Sequence, residues 1–289
     1  MTRDKWASWL AERRTGGDPR AAERIREDLH PIRDAVLDAA KVGAGTRLLD
    51  VGCGDGLIAF GALERGAAEV VFSDVSSDLL DRCRELADEA GALERCRFVQ
   101  AGAEDLGPVP GASVDAVTTR SVLIYVEDKA RALREFRRVL APGGRISLFE
   151  PINRYFIDVD RRYPAAYDVG PLEDLAERVT AVYRDISPMA GPMMNFGERD
   201  LLDMAETAGF AELHVRLVVD VVPPNPRDWE SFVHSSPNPL APTLDEAMRQ
   251  ALTPSEIDRY TRHFRPLVES GNGTLRRAVA YLTAVSPPS

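Results

Sequence analysis

Leu48-Leu49-Asp50-Val51-Gly52-Cys53-Gly54-Asp55-Gly56 reads as a buried strand running into a glycine turn, with a helix-compatible segment following from Leu57. Glycine suits that turn because the backbone must bend sharply and let a ligand approach with no Cβ in the way. Asp74 lies 18 residues beyond Gly56 and closes the next apolar run, Glu69-Val70-Val71-Phe72-Ser73. A carboxylate there can accept both hydroxyls of a ribose, so the pairing points to a nucleoside cofactor. A nicotinamide dinucleotide is disfavoured. Its G-x-G-x-x-G/A fingerprint needs a small residue where Leu57 stands, and the glycine spacing here is G-x-G-x-G. With no pyrophosphate to seat, Asp50 and Asp55 are tolerated and a cationic ligand is favoured.

Outward from this stretch, apolar runs at Arg47–Val51, Glu69–Ser73, Cys96–Gln100, Val114–Thr119 and Arg145–Phe149 alternate with helical periodicity over Asp78–Ala90 and Lys129–Leu140. A late helix, Glu198–Ala208, stops at Gly209 and leads into strands Glu212–Val219 and Ala278–Val285. The alternation predicts an α/β fold: a doubly wound, seven-stranded, mostly parallel sheet with helices on both faces. Residues 1–42 read as helices, with Trp6, Trp9 and Leu10 on one face and a break at Gly16-Gly17-Asp18-Pro19.

Asp50 to Gly56, Asp74 and the later Leu140-Ala141-Pro142-Gly143-Gly144-Arg145 together resemble the class I S-adenosylmethionine-dependent methyltransferases, over about residues 43–219. The resemblance implies a Rossmann-like core at 43–150 that binds S-adenosyl-L-methionine. A helical cap at 1–42 precedes it, a lid insertion at 151–197 follows, and 198–289 completes the sheet with a second lid at about 221–277. Connections of that length are usually functional. The topology implied by the family, with an antiparallel seventh strand, brings both lids to the carboxyl edge of the sheet, over the cofactor, where they would make the acceptor pocket.

Composition narrows the function. A formal net charge of −10 speaks against a nucleic-acid partner, which needs basic surface. No stretch has the ~20 apolar residues of a membrane span, and the first residues carry no signal-like apolar core, so a cytoplasmic location is expected. Three cysteines without C-x-x-C spacing fit a reduced chain, and there is no cluster at metal-ligand spacing. The expected partner is a small-molecule or peptide substrate. Richness in Ala, Arg and Pro hints at specialised, natural-product metabolism; the oligomeric state is not legible.

Asp50, Gly52, Cys53 and Gly54 form the candidate cofactor loop, in which Cys53 reads as a small packing residue rather than a chemical group. By the resemblance, Asp74 holds the ribose and Val75 lies against adenine. The family often carries Asp after the third strand, where this chain has Gly102, so adenine would be read by the backbone at Ala103 and Glu104, with a carboxylate from Glu104 or Asp105. Arg120 and Tyr125 leave the fourth strand next to the cofactor's methionyl end. Tyr125 stands where many relatives have His. A phenol is a poor base at neutral pH but a good positioning donor. Arg120 offers a fork for cofactor or substrate carboxylate. Asn153 and Arg154, leaving the fifth strand, are candidate substrate contacts. His30, read as ending a helix before Pro31, and His234 in the second lid are candidate bases. Arg13 and Arg14 could meet the cofactor carboxylate or simply end a helix.

The activity expected is methyl transfer, including O-methylation of a carboxylate held by Arg120, Arg154 and Tyr125. The alternatives are an N- or phenol O-methyltransferase using a histidine base, or a cofactor-binding chain whose pocket serves other chemistry.

Overall fold

Leu48 and Leu49 are fully buried in β1 (Arg47–Val51), the strand around which the sheet is built. The structure, a computed structural model, describes residues 3–156, 162, 164–186 and 191–288. Parts of the expected first lid, 157–161, 163 and 187–190, lie outside the described residues. β1 is flanked by β2 (Glu69–Asp74) and β4 (Val114–Arg120), with β3 (Cys96–Gln100) at one edge. On the other side stand β5 (Leu140–Pro151), β7 (Leu275–Val285) and the edge strand β6 (Ala211–Val222). The order is β3-β2-β1-β4-β5-β7-β6, parallel from β1 to β5, with β7 antiparallel to both neighbours. The strand order turns back beside β1, so β1 and β4 leave a crevice at their carboxyl ends, where ligands of open α/β sheets bind.

β5 begins earlier than expected from the sequence. Leu140-Ala141-Pro142-Gly143-Gly144 bulges within the strand, with Gly143 at φ +78° donating its N–H to the Ser286 carbonyl at 2.8 Å. Helices α3 (Leu57–Glu64), α4 (Ser77–Glu89), α5 (Lys129–Val139) and α7 (Glu198–Thr207) cover the two faces. α5 turns Ala132, Leu133, Phe136 and Val139 onto the sheet and its arginines outward; Asp128 caps it by accepting the Arg131 N–H.

At the amino end, α1 (Lys5–Ser8) runs into a π-turn, Trp9–Arg13, and α2 (Pro19–Ala39) follows. The reading of His30 as a helix end is corrected: α2 continues through Pro31 for two more turns. A proline inside a helix costs ~3 kcal/mol, but Pro31 is solvent-exposed, so water reaches the carbonyl it leaves unbonded. Beyond it Val36 and Leu37 are fully buried against α3. Packing overrides the local signal.

The two long connections share one apolar core. Tyr167, Leu175 and Val179 of the first, the latter two on α6 (Glu173–Ile186), pack with residues of the second. These are Trp229 on α8 (Trp229–Val233), Met248 on α9 (Leu244–Ala251), and Tyr260 and Phe264 on α10 (Pro254–Ser270).

Candidate active site

The glycine loop is shaped by what it must avoid. Gly52 (φ +64°) and Gly54 (φ +57°) adopt left-handed backbone, and a Cβ on Gly52 would come within 2.4 Å of Val122. The Gly54 N–H donates to Asp74 Oδ2 at 2.9 Å, and the Ser76 N–H to Asp74 Oδ1 at the same distance. Asp74 therefore ties β2 to the loop, and each oxygen keeps a lone pair for a ligand. Its carboxyl is raised from the usual range, chiefly by burial.

Gly52, Gly54, Asp74 and Val75 face a cavity of about 780 Å³. Two loop residues singled out from sequence lie beneath it. Asp50 is buried, accepts the Thr118 hydroxyl at 2.8 Å, and leaves Oδ2 without a hydrogen bond; burial pushes its carboxyl up to about 7. Cys53 turns into the core, its thiol raised well above normal by Cys83 and by burial. Val75 is 51 % exposed, beside the cavity-lining backbone of Gly102, Ala103 and Glu104. One Glu104 oxygen accepts the Asp128 N–H at 2.7 Å, and Asp105 lies outside the cavity.

A glycine cradle, a buried carboxylate with free lone pairs and an exposed apolar residue against bare backbone fit an adenosyl group. Gly52, Gly54, Asp74, Val75, Ala103 and Glu104 are the residues that could hold it.

Past β4 the chain turns sharply. Ser121 stands at φ +58°, unusual for a residue with a Cβ, and Glu150 holds the turn that follows. Fully buried at the end of β5, Glu150 accepts the N–H groups of Val122 and Leu123 (both 3.0 Å) and Ile124 (3.2 Å), and the Thr119 hydroxyl. Arg120 and Tyr125 thereby face the cavity. The Tyr125 ring meets Trp6 edge-on with centroids 5.1 Å apart. Burial, with Glu150 nearby, pushes its phenol up to about 12, so it is no base.

The remaining walls come from far along the chain. Trp6, Trp9, Leu10 and Arg14 close one side. Trp9 donates its indole N–H to the Ser236 carbonyl at 3.0 Å, and the Ser236 N–H returns to the Arg13 carbonyl at 2.7 Å. Arg13 pairs with Glu246 through both nitrogens, at 3.1 and 2.7 Å. Sequence reading left Arg14 undecided and missed Phe232, Ser235 and Asn238; the stripe of Trp6, Trp9 and Leu10 was the signal for the amino-terminal wall. Asn153 lines the cavity and donates to the Met193 carbonyl at 3.2 Å. Three candidates stand elsewhere. Arg154 reaches Asp200 at 3.7 Å, His30 is exposed on α2, and His234 is exposed with Nδ1 at 2.7 Å from the Glu230 carbonyl. Among the described residues no histidine lines the cavity, and no three metal-binding side chains cluster.

A doubly wound sheet whose glycine loop and ribose-type carboxylate share one cavity defines a nucleoside-cofactor enzyme. Residues 49–148 match the family model for a methyltransferase domain. Over 193 residues the chain is 30 % identical to the ubiquinone/menaquinone biosynthesis C-methyltransferase UbiE of Cronobacter sakazakii, covering 62 % of this chain and 76 % of that one. The corresponding protein of Photorhabdus laumondii is 31 % identical over 189 residues, covering 64 % and 74 %. Among solved structures, the YcgJ protein of Bacillus subtilis superposes with a TM-score of 0.56 at 18 % identity, over 90 % of this chain and all of that one. The [4+2]-cyclase SpnF gives 0.54 at 22 %, over 90 % and 81 %. At such identities these two speak for the fold alone. The chain belongs to the class I S-adenosylmethionine-dependent methyltransferases; it is an enzyme, and S-adenosylmethionine is its cofactor.

Proposed function

We propose that this enzyme methylates a small acidic molecule of specialised metabolism on a carboxylate oxygen. The observation that carries the reading is Arg120, which faces the cavity and whose guanidinium, among the described residues, makes no hydrogen bond or ion pair. S-Adenosylmethionine brings an electrophilic methyl on a cationic sulfur, so an acceptor that is already an anion needs no base. Asp74 takes the ribose hydroxyls, Val75 and the Ala103–Glu104 backbone the adenine. Arg120 holds the acceptor anion through its fork, while Tyr125 and Asn153 orient it. The tryptophans of the amino-terminal wall and Phe232 exclude water. Holding the two reactants in line can supply ~7–11 kcal/mol, more than one general base usually gives. The cavity's lack of histidine and the raised Tyr125 phenol favour this over an N- or phenol O-methyltransferase with a histidine base.

A second reading is carbon methylation, favoured by the relatives named C-methyltransferases. Arg120 would then steady the oxyanion of an enolate whose carbon attacks. Incubation with methyl-labelled cofactor and a panel of acids decides between them. A carboxylate methyl ester releases its label as methanol in mild alkali; a label that survives alkali overturns the O-methylation reading.

A further inference from the structure

We propose that Arg14 and Arg120 form a two-armed anion site, so that the acceptor enters this cavity as an anion in addition to the carboxylate the cofactor brings. The inference deepens the reading above and rests on it for the acceptor's charge.

The two arginines reach one cavity from different parts of the chain. Arg120 ends β4, and Arg14 follows the π-turn of the amino-terminal wall, 106 residues earlier. Among the described residues neither guanidinium has a hydrogen bond or ion pair; Arg14 has only the Trp9 ring, 5.5 Å from its central carbon. Its neighbour Arg13 shows the contrast, paired with Glu246 outside the cavity. Burial, and next the positive charge of Arg120, holds Arg14 below its usual pKa, as expected of two like charges sharing a partly desolvated space. Asp55 on the outer, exposed side of the loop attracts Arg14 only at a distance.

Within the cavity wall, the carboxylates among the described residues are Asp74 and Glu104. Both are engaged by backbone N–H groups at the glycine-loop and third-strand side. Neither guanidinium is paired by these carboxylates; buried Asp50, beneath the loop, acts on Arg120 through space without a hydrogen bond or ion pair to it. The cofactor brings one carboxylate but also an ammonium and a sulfonium, so it leaves the closed cavity more positive than before. Enclosed like charges are costly unless an opposite charge joins them. An anionic acceptor supplies it. Arg14 follows the wall that Trp9 and Arg13 clasp to Ser236, and that clasp helps to place the second arm.

The test is calorimetric titration of the full chain, saturated with S-adenosylhomocysteine, with 1-naphthoate and with its neutral isostere 1-naphthamide. The expected result is at least roughly tenfold tighter binding of the naphthoate. Arg14→Gln and Arg120→Gln should each remove most of that preference at unchanged melting temperature; Arg14→Lys, which keeps charge but not the fork, should retain part of it. Equal affinities, including no binding of either probe, overturn the proposal, as does a preference that survives both glutamine variants. Should the preference hold while the product's label survives alkali, the anion site stands and the carboxylate O-methylation reading fails.

Discussion

Asp74 Oδ2 accepts the Gly54 N–H at 2.9 Å, so the carboxylate that closes β2 also sets the shape of the glycine loop. One residue thus positions the loop and keeps free lone pairs for a ligand, which the proposed function takes to be the cofactor's ribose. Asp74→Ala should lose two charge-assisted bonds of ~1.5–3 kcal/mol each and loosen the loop. Affinity for S-adenosylhomocysteine should fall at least roughly tenfold. Titration calorimetry with unchanged affinity would remove Asp74 from the site.

Asp50 gives a stability effect with a defined sign. Its folded pKa of about 7 lies above an unfolded value of ~3.9, so between the two the folded state keeps a proton the unfolded state has released. Stability should therefore fall as pH rises from ~4 to ~7, by at most about 4 kcal/mol from this group. Asp50→Asn should flatten that part of the curve. Denaturant titrations of both proteins at pH 4.5 and 7.5 check it; parallel curves would contradict it.

Much of this was legible in the sequence, because strand and loop signals are local. The apolar runs, the glycine spacing and Asp74 are short-range patterns that long-range packing has no reason to overturn. Arg14 was legible only as one of two options, beside Arg13, because its place depends on Trp9 and Arg13 meeting Ser236, more than 220 residues away. His30 and Pro31 misled, since a helix whose far end is buried tolerates an exposed proline. Arg154 shows that adjacency to a strand exit does not say which way a side chain turns. Nor could apolar stripes in two separate insertions announce that they pack against each other.

Glu150 holds the turn that carries Tyr125. Glu150→Ala would leave the buried N–H groups of Leu123 and Ile124, and the partly buried one of Val122, without their acceptor. At ~1–3 kcal/mol for each unsatisfied group, stability should drop by about 3 kcal/mol or more. Glu150→Gln, which keeps one acceptor oxygen, should lose less. Urea unfolding of the two variants measures the order, and a reversed order would contradict the role.

The amino-terminal wall and the second insertion should close together on ligand. Their mutual bonds, Trp9 to Ser236 and Ser236 to Arg13, motivate this. Amide exchange over residues 5–14 and 229–246 should slow in both segments when S-adenosylhomocysteine binds. Slowing in one segment alone would mean they move independently.

The central claim is that the acceptor reacts as an anion held by arginine, with no protein base. The pH dependence of kcat tests it most directly. The account predicts a profile that is flat above the acceptor's own pKa, with His30→Ala and His234→Ala retaining most of kcat and Arg120→Ala losing ~2–4 kcal/mol in kcat/KM. An activity that falls as pH drops through ~6.5, with a limb that vanishes in either histidine variant, would contradict it.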